Sequence, residues 1–323
     1  MKTKKTVLAA VWTLLFASAV RADDLVRLGN LKFAHYGAVS YMKEIAPKYH
    51  LKIDEKVFGK GLDIIPAILS GDIDIAASAL DAAIAGRAAG SPVYVVAGFA
   101  KGGVRIVGRS DLNLKSVRDL KGRKVGVARG GAQEICLLAE LQKNHLTWSD
   151  KGDKDVHLVY LAYADLNGAL LGKNIDAMCQ SEPQSAQAIS KGFGKEIIKP
   201  YDTPMGEPIR ALVMTEKMYN DKSGIAQRVL ACFVEATQTF LKNPALAEKY
   251  VRDNLFKGQL THEEYVDAMS NAAFTYDITV AHVQVTTDLM QKLGVGRMER
   301  PPSARDWVKT GALDAAKKSH GAK

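Results

Sequence analysis

The chain has 323 residues, 47% of them hydrophobic and 24% charged, and a formal net charge of +9. That length can bury large cores and favours two domains over one. Lys and Arg are interleaved with Asp and Glu and form no long basic run beyond Lys317-Lys318, which speaks against a dedicated nucleic-acid binder.

In chain order, Lys2, Lys4 and Lys5 precede a mostly apolar stretch over 7–20, and Val20-Arg21-Ala22 offers small residues for a signal peptidase. Residues 1–22 therefore read as an export signal cleaved before Asp23. An anchor would need about 18 or more apolar residues, and this run is shorter. No Cys follows the cut before Cys136, so a lipid anchor is not expected, and cleavage leaves 301 residues carrying +5. Cys136, Cys179 and Cys232 sit in apolar contexts at no metal-ligand spacing. They read as buried thiols, with one optional disulfide left open and no metal or cofactor expected.

Residues 26–31 read as a strand, 32–37 as a loop, and 38–46 as a helix stopped by Pro47. A second strand over 51–58 puts Leu51, Ile53 and Val57 on one face. Gly59-Lys60-Gly61 is a loop, Asp63 a helix cap, and 64–69 a helix that tolerates Pro66 in its first turn. A third strand at 72–77, a loop at Ser78-Ala79, a helix at 80–89 and a fourth strand at 92–97 follow. Strands alternating with helices predict an α/β fold with a mostly parallel sheet covered on both faces. Ligands of such sheets bind beyond the carboxyl ends of the strands, where the loops 33–37, 59–61, 78–81 and 99–103 fall.

Residues 104–109 read as a crossing strand and 116–122 as a short helix and turn. Lys124-Val-Gly-Val-Ala-Arg-Gly-Gly-Ala-Gln-Glu-Ile-Cys-Leu-Leu-Ala-Glu-Leu141 is strand, glycine loop, helix. Its two glycines and free helix-start N–H groups make a seat for a small anion, with Arg129 adding charge. The alternative is a tight βα turn with Arg129 solvated. A polar loop over 149–155, a strand over 157–162 and a helix over 165–171 closed by Gly172 come next. Asn174-Ile-Asp-Ala-Met-Cys179 echoes Gly71-Asp-Ile-Asp-Ile-Ala76, so two similarly built lobes are expected, with the loop Gln180-Ser-Glu-Pro183 matching Ser78-Ala79-Leu80-Asp81.

Residues 199–208 form a connection and 209–215 a strand. From Gly224 the text is helical: Asn243-Pro244 fits a cap followed by proline, Thr261-His-Glu-Glu264 a capping box, and 279–293 an amphipathic helix. Phe274-Thr-Tyr-Asp277 is expected to bring two aromatic rings toward the cleft, and 301–323 to be a frayed tail.

Four stretches now carry a family likeness: Ala67-Ile-Leu-Ser-Gly-Asp-Ile-Asp-Ile75, Ser78-Ala79-Leu80-Asp81, Val117-Arg-Asp-Leu-Lys-Gly-Arg-Lys-Val-Gly-Val-Ala-Arg-Gly-Gly131 and Gln180-Ser-Glu-Pro183. In this order and spacing the chain resembles the periplasmic substrate-binding proteins of ABC importers, in the family of aliphatic sulfonate, taurine, nitrate and pyrimidine-precursor binders. The resemblance implies a two-lobed periplasmic-binding-protein fold, with 23–104 plus 211–300 as one lobe, 105–210 as the other and 301–323 as a tail. Two crossings would form a hinge that closes on a small-molecule ligand. It also implies a periplasmic monomer that docks on a membrane permease.

Carried over residue by residue, the resemblance places ligand contacts at His35, Tyr36, Gly37, at Gly59, Lys60, Gly61, at Ser78, Ala79, Asp81, at Arg129, Gly130, Gly131 and at Ser181, Glu182. Arg129 suits bidentate pairing with an oxyanion. Ser78 either bonds an anion or caps its helix; Lys60 is a second cation or simply solvated. His35 and Tyr36 are walls, and Phe274 and Tyr276 close another side unless core packing takes them. Asp81 and Glu182 either recognise a ligand amine or pair internally with Arg129 and Arg105. Gly59-Lys60-Gly61 departs from the Gly-Pro turn expected of a sulfonate binder.

The reading is a solute-binding protein for a small organic or inorganic anion. Its alternatives are an aromatic or pyrimidine-type ligand, or a ligand sensor of the same fold. An enzyme is not expected, because G-x-S-x-G, H-E-x-x-H, a phosphate-binding G-x-x-x-x-G-K and a full G-x-G-x-x-G after a strand are all missing.

Overall fold

The computed structural model describes residues 22–322, so the expected export signal, apart from Ala22, lies outside the described residues. Twelve strands are described: β1 Asp24–Leu31, β2 Leu51–Phe58, β3 Ile75–Ala79, β4 Val93–Gly102, β5 Val104–Arg109, β6 Lys124–Val127, β7 Trp148–Ser149, β8 Val156–Tyr160, β9 Ala177–Ser181, β10 Gly194–Ile198, β11 Ile209–Thr215 and β12 Ala272–Phe274. They form two six-stranded sheets, ordered β12-β4-β11-β3-β1-β2 and β10-β5-β9-β6-β8-β7.

Each sheet has a parallel part built by crossover helices and an antiparallel part built by strands that join the lobes. β1 is parallel to β2 and β3, whereas β11 returns from the second sheet and lies antiparallel between β3 and β4. In the second sheet β6 is parallel to β8 and β9, and the arriving strand β5 is antiparallel to β9 and β10. The chain crosses outward at Gly103 and returns through residues 199–208.

The Ile-Asp echo is a strand lock. The Asp74 carboxylate accepts from the Arg27 N–H on β1 at 3.0 Å and from the Arg27 guanidinium at 2.8 and 2.7 Å. The Asp176 carboxylate accepts from the Lys124 N–H on β6 at 3.0 Å. In each lobe the acid thus pins the start of one parallel strand beside the next.

Several expectations are corrected. Ser78 and Ala79 lie inside β3, and Gln180 and Ser181 inside β9, because backbone pairing with the crossing strands extends both beyond the apolar run. Residues 99–102 likewise belong to β4, paired with β11 and β12. Asp63 makes no side-chain cap; it ends a 3-10 turn, Gly61–Asp63, ahead of the helix Ile64–Leu69. Val57 shares the parity of Leu51 but is 50% exposed, since β2 is an edge strand. Cys136, Cys179 and Cys232 are buried free thiols.

The largest correction is the tail. Residues 301–322 carry helices Ala304–Trp307 and Gly311–Ser319, and the second packs on the long helix Ser223–Lys242. Ala304 and Trp307 are fully buried, and Leu313 and Ala316 nearly so. Lys-rich composition hid an amphipathic helix whose apolar side is only Leu313, Ala316 and their neighbours.

Candidate ligand-binding site

The outward crossing is tight. Gly103 has φ +74°, and a Cβ there would lie 2.8 Å from the His35 ring, so only glycine lets the crossing pass over it. Around His35 the rings assemble: Phe33 lies 5.9 Å from His35, 5.4 Å from Tyr36 and 5.2 Å from Tyr163, and Tyr36 lies 4.7 Å from Phe99. Phe33 belongs to the first lobe and Tyr163 begins the helix Tyr163–Leu171 of the second, so their edge contact spans the lobes.

Arg210 stands behind these rings, 2% exposed. Its register partners on the strands either side are Ala79 and Ala100, small enough to leave room for a guanidinium on that face of the sheet. Nη1 donates to the carbonyls of Gly102 and Pro208, at 3.0 and 3.3 Å, while Nη2 has no partner. Asp81, 2% exposed in the first turn of the helix Leu80–Ala88, has neither carboxylate oxygen bonded, and both ring nitrogens of His35 are also unpartnered. Burial, reinforced by the Glu134 carboxylate, pushes Asp81 up to about 7. Burial and the Arg210 charge hold His35 well below its ordinary value, so it is neutral. Unsatisfied buried polar groups are costly, and these three lie close enough together for the Arg210 charge to act on both of the others.

A cleft of about 360 Å³ opens beside Asp81. Its walls include Leu62, Asp81 and Ala82 from the first lobe and Arg129, Gly130 and Glu134 from the second. Gly130, at φ +69°, lies against Leu62 so closely that a Cβ would come within 2.7 Å of it. Met290 and Arg297 complete one side.

The glycine loop is where the sequence expects an anion, and the chain's own acid has taken the place. The Gly130 N–H donates to Glu134 Oε2 at 2.7 Å, and Glu134 Oε1 accepts from the Tyr160 hydroxyl at 2.8 Å. Arg129 is half-exposed, pairs with Asp150 at 3.3 Å and stacks 3.7 Å over the Tyr160 ring. It stands at the mouth of the cleft, already partnered. Gly131 precedes the helix Ala132–Lys143 and abuts the Tyr163 hydroxyl.

The other expected residues divide. His35, Tyr36 and Asp81 converge on the interlobe region. Gly61 is buried and Lys60 exposed at the edge of the first lobe. Gly37 is turned to the packing, with Val251 2.4 Å from where its Cβ would be. The Ser78 hydroxyl donates to the Ala79 carbonyl at 3.0 Å, so it neither caps the helix nor stands free, and Ala79 is the helix N-cap with extended backbone. Ser181 donates its hydroxyl to the Gly103 carbonyl at 3.0 Å and so braces the crossing. Phe274 packs on Phe240 at 5.3 Å, and Tyr276 is buried in the first-lobe core beneath Lys317, so neither ring walls the cleft.

Glu182 pairs internally. Arg105 Nε lies 2.6 Å from its carboxylate, and the Asn271 amide and the Ala186 N–H donate to it at 2.9 and 3.1 Å. Arg105 also grips Asp267 at 2.9 Å, and the Tyr201 hydroxyl accepts from the Val104 N–H at 3.0 Å while reaching Asn271 at 2.8 Å. These bonds join both crossings to the segment 267–271. Burial pushes the Glu182 carboxyl up, against the pull of Arg105. Arg210 is the site residue that sequence reading missed; its signal is a lone charge in the otherwise apolar run Ile209-Arg-Ala-Leu-Val-Met214.

Two α/β lobes joined by two crossings, with buried polar groups turned to the space between them, define the periplasmic-binding-protein fold, a class of two-lobed ligand binders. The model of the NMT1-like family matches residues 26–252, more than half of the chain, and the chain belongs to that family. An Escherichia coli (strain K12) protein named "Putative aliphatic sulfonates-binding protein" is 29% identical over 188 residues. That match covers 57% of this chain and 56% of the relative, so it spans little more than half of either. A solved ligand-binding component of an ABC-type import system from Staphylococcus aureus superposes with TM-score 0.78 at 16% identity, covering 91% of this chain and 99% of its own. The alkanesulfonate-binding protein SsuA of Xanthomonas axonopodis pv. citri, bound to MOPS, gives 0.75 at 18% identity, covering 90% and 100%. At these identities the structures establish the fold.

Proposed function

We propose that this chain is a periplasmic solute-binding protein that captures a small oxyanion-bearing solute between its lobes and delivers it to the permease of an ABC importer, without turnover. The observation that carries the reading is Arg210, a buried guanidinium with Nη2 unpartnered, beside His35 and Asp81. Arg129, at the cleft mouth, is a secondary cation. The names of the relatives, an aliphatic sulfonates binder and an alkanesulfonate binder, support the substrate class. The rings of Phe33, His35, Tyr36, Phe99 and Tyr163 favour a second reading, a flat ring ligand stacked or edged among them.

The test is calorimetric titration of protein stripped by unfolding and refolding, against sulfonates, nitrate, small carboxylates and pyrimidines. Arg210→Met is expected to weaken an anionic ligand by about a hundredfold or more, since a charged hydrogen bond in a dry site is worth about 1.5–3 kcal/mol and its loss leaves the ligand charge unpaired. Arg129→Ala is expected to cost less than about tenfold, because its charge is screened and shared with Asp150. The reverse order of effects would move the anion to the glycine loop. Hinge closure is expected to shrink the radius of gyration on saturation; an unchanged radius would count against the two-lobe mechanism.

A further inference from the structure

Resting on the two-lobed binding-protein reading above, we infer that Arg105 holds a fixed pivot outside the cleft. The lobes turn on the contact between the helices Gln184–Ser190 and His262–Ser270, and the cleft opens on its Leu62–Gly130 side. Side chains alternate along β5, so Val104 and Ile106 join the main core with Ile135 and Leu138 of the helix Ala132–Lys143, while Val107 joins a separate cluster with Ala188. Arg105 has the parity of Val107. It therefore lies on the face of the second sheet that carries the helix Gln184–Ser190, away from the helix whose first turn lines the cleft.

On that face the second lobe is bonded to the first. The buried Arg105 guanidinium donates from Nη1 to Asp267 Oδ2 at 2.9 Å, and from Nη2 to the Asp267 carbonyl and Oδ1 at 2.8 and 3.1 Å. Its other partners are acids of its own lobe, Glu182 at 2.6 Å and Glu196 at 3.2 Å. Glu264, pinned by its capping box with Thr261, accepts from the Ser190 hydroxyl at 3.2 Å and the Gln187 amide at 3.4 Å. Beside these bonds Ala186 enters an apolar cluster otherwise made by the first lobe, with Ala34, Ala38, Phe240 and Ala247. The contacts across the cleft are of another kind: Leu62 lies on Gly130, and the Phe33 ring stands edge-on to Tyr163. Those part without breaking a polar bond, whereas parting Arg105 from Asp267 takes a charge-assisted fork apart. Packed surfaces also do not compress, so a rotation about the crossings that opened the cleft would drive the two helices into each other. The turn therefore runs on the helix pair. Arg105 is a positioning residue: the closed fraction of the protein, and with it the apparent solute affinity, depends on a side chain outside the cleft.

The test reads spin-label distances in the solute-free chain, apart from the titrations that test the binding reading. Asp63→Cys with Lys151→Cys puts labels across the cleft mouth, beside Leu62 and beside Asp150, the partner of Arg129. Ser190→Cys with Glu263→Cys puts them across the helix pair, and the native thiols are buried. The mouth pair is expected to show a broad range of distances and the helix pair a single short one. Arg105→Met is expected to broaden the helix-pair distances and lengthen those of the mouth, with Arg105→Lys, which keeps the charge but not the fork, in between. A merely structural role would lower the unfolding midpoint and leave both sets of folded-state distances as they were; that result overturns the role of Arg105. Should Arg105→Met fail to fold, the unsubstituted chain still decides. A helix pair that spreads as widely as the mouth pair, or a mouth pair as narrow as the helix pair, overturns the pivot. Failure of every anion to bind would overturn the solute reading and leave the pivot standing.

Discussion

Trp307→Ala is expected to lower the unfolding free energy by about 3–5 kcal/mol, the cost of emptying a fully buried large aromatic site. Trp307 is fully buried and is held by the chain on either side of it. Val308 bridges to Val95 on β4, and the Lys309 N–H donates to the Val95 carbonyl at 2.8 Å. Further on, Lys317 pairs with Asp277 at 2.8 Å and His320 reaches the Tyr49 hydroxyl at 2.9 Å, so the segment is fastened at both ends. Exposed ion pairs of this kind contribute little, and the buried indole carries the energy. Against a total stability of about 5–15 kcal/mol the loss is a large fraction. Urea unfolding of the variant beside the natural chain measures it. A midpoint unmoved by the substitution would mean that residues 301–322 are as loose as their composition suggests.

That contrast shows where sequence reading succeeds and fails. β2, β5, β11 and the helix Ile64–Leu69 were legible because alternation, glycine turns and a first-turn proline act within a few residues. The Thr261 capping box is formed as its spacing requires, and Asn243 caps the helix begun by Pro244. Strand ends were misread where pairing with a distant strand decides them: Ser78 and Ala79 are held by β11, more than a hundred residues away. The site was half legible. His35, Tyr36 and Asp81 sit where strand–loop–helix order puts them, and Arg129, beside its two glycines, lines the cleft. What the sequence hides is that Glu134 reaches back one turn to the Gly130 N–H, and that Arg210 fits between Ala79 and Ala100. Both depend on tertiary neighbours.

Asp81→Asn is expected to make the ligand-free protein more stable at pH 8, by up to about 4 kcal/mol, and to change little near pH 4. Asp81 is held up to about 7 in the folded chain, first by burial and then by Glu134, with Arg210 pulling the other way. Burial raises the Tyr36, Tyr163 and Cys136 groups so that they remain protonated, and lowers His282, on the wall of a small void beside Asp81. Unfolded, the Asp81 carboxyl loses its proton near its ordinary value of about 3.9. Between that value and about 7 the folded state therefore binds the extra proton, and stability falls as pH rises through the window. The contribution is full below about 4 and lost above about 7. Asparagine resembles the protonated acid and cannot ionise, so the variant lacks this slope. Glu182, also raised by burial, gives a slope common to both proteins, and the difference between their curves isolates Asp81. Urea unfolding at intervals from pH 4 to 8 supplies the two curves. If they run parallel, Asp81 is ionised with a satisfied partner in the free protein.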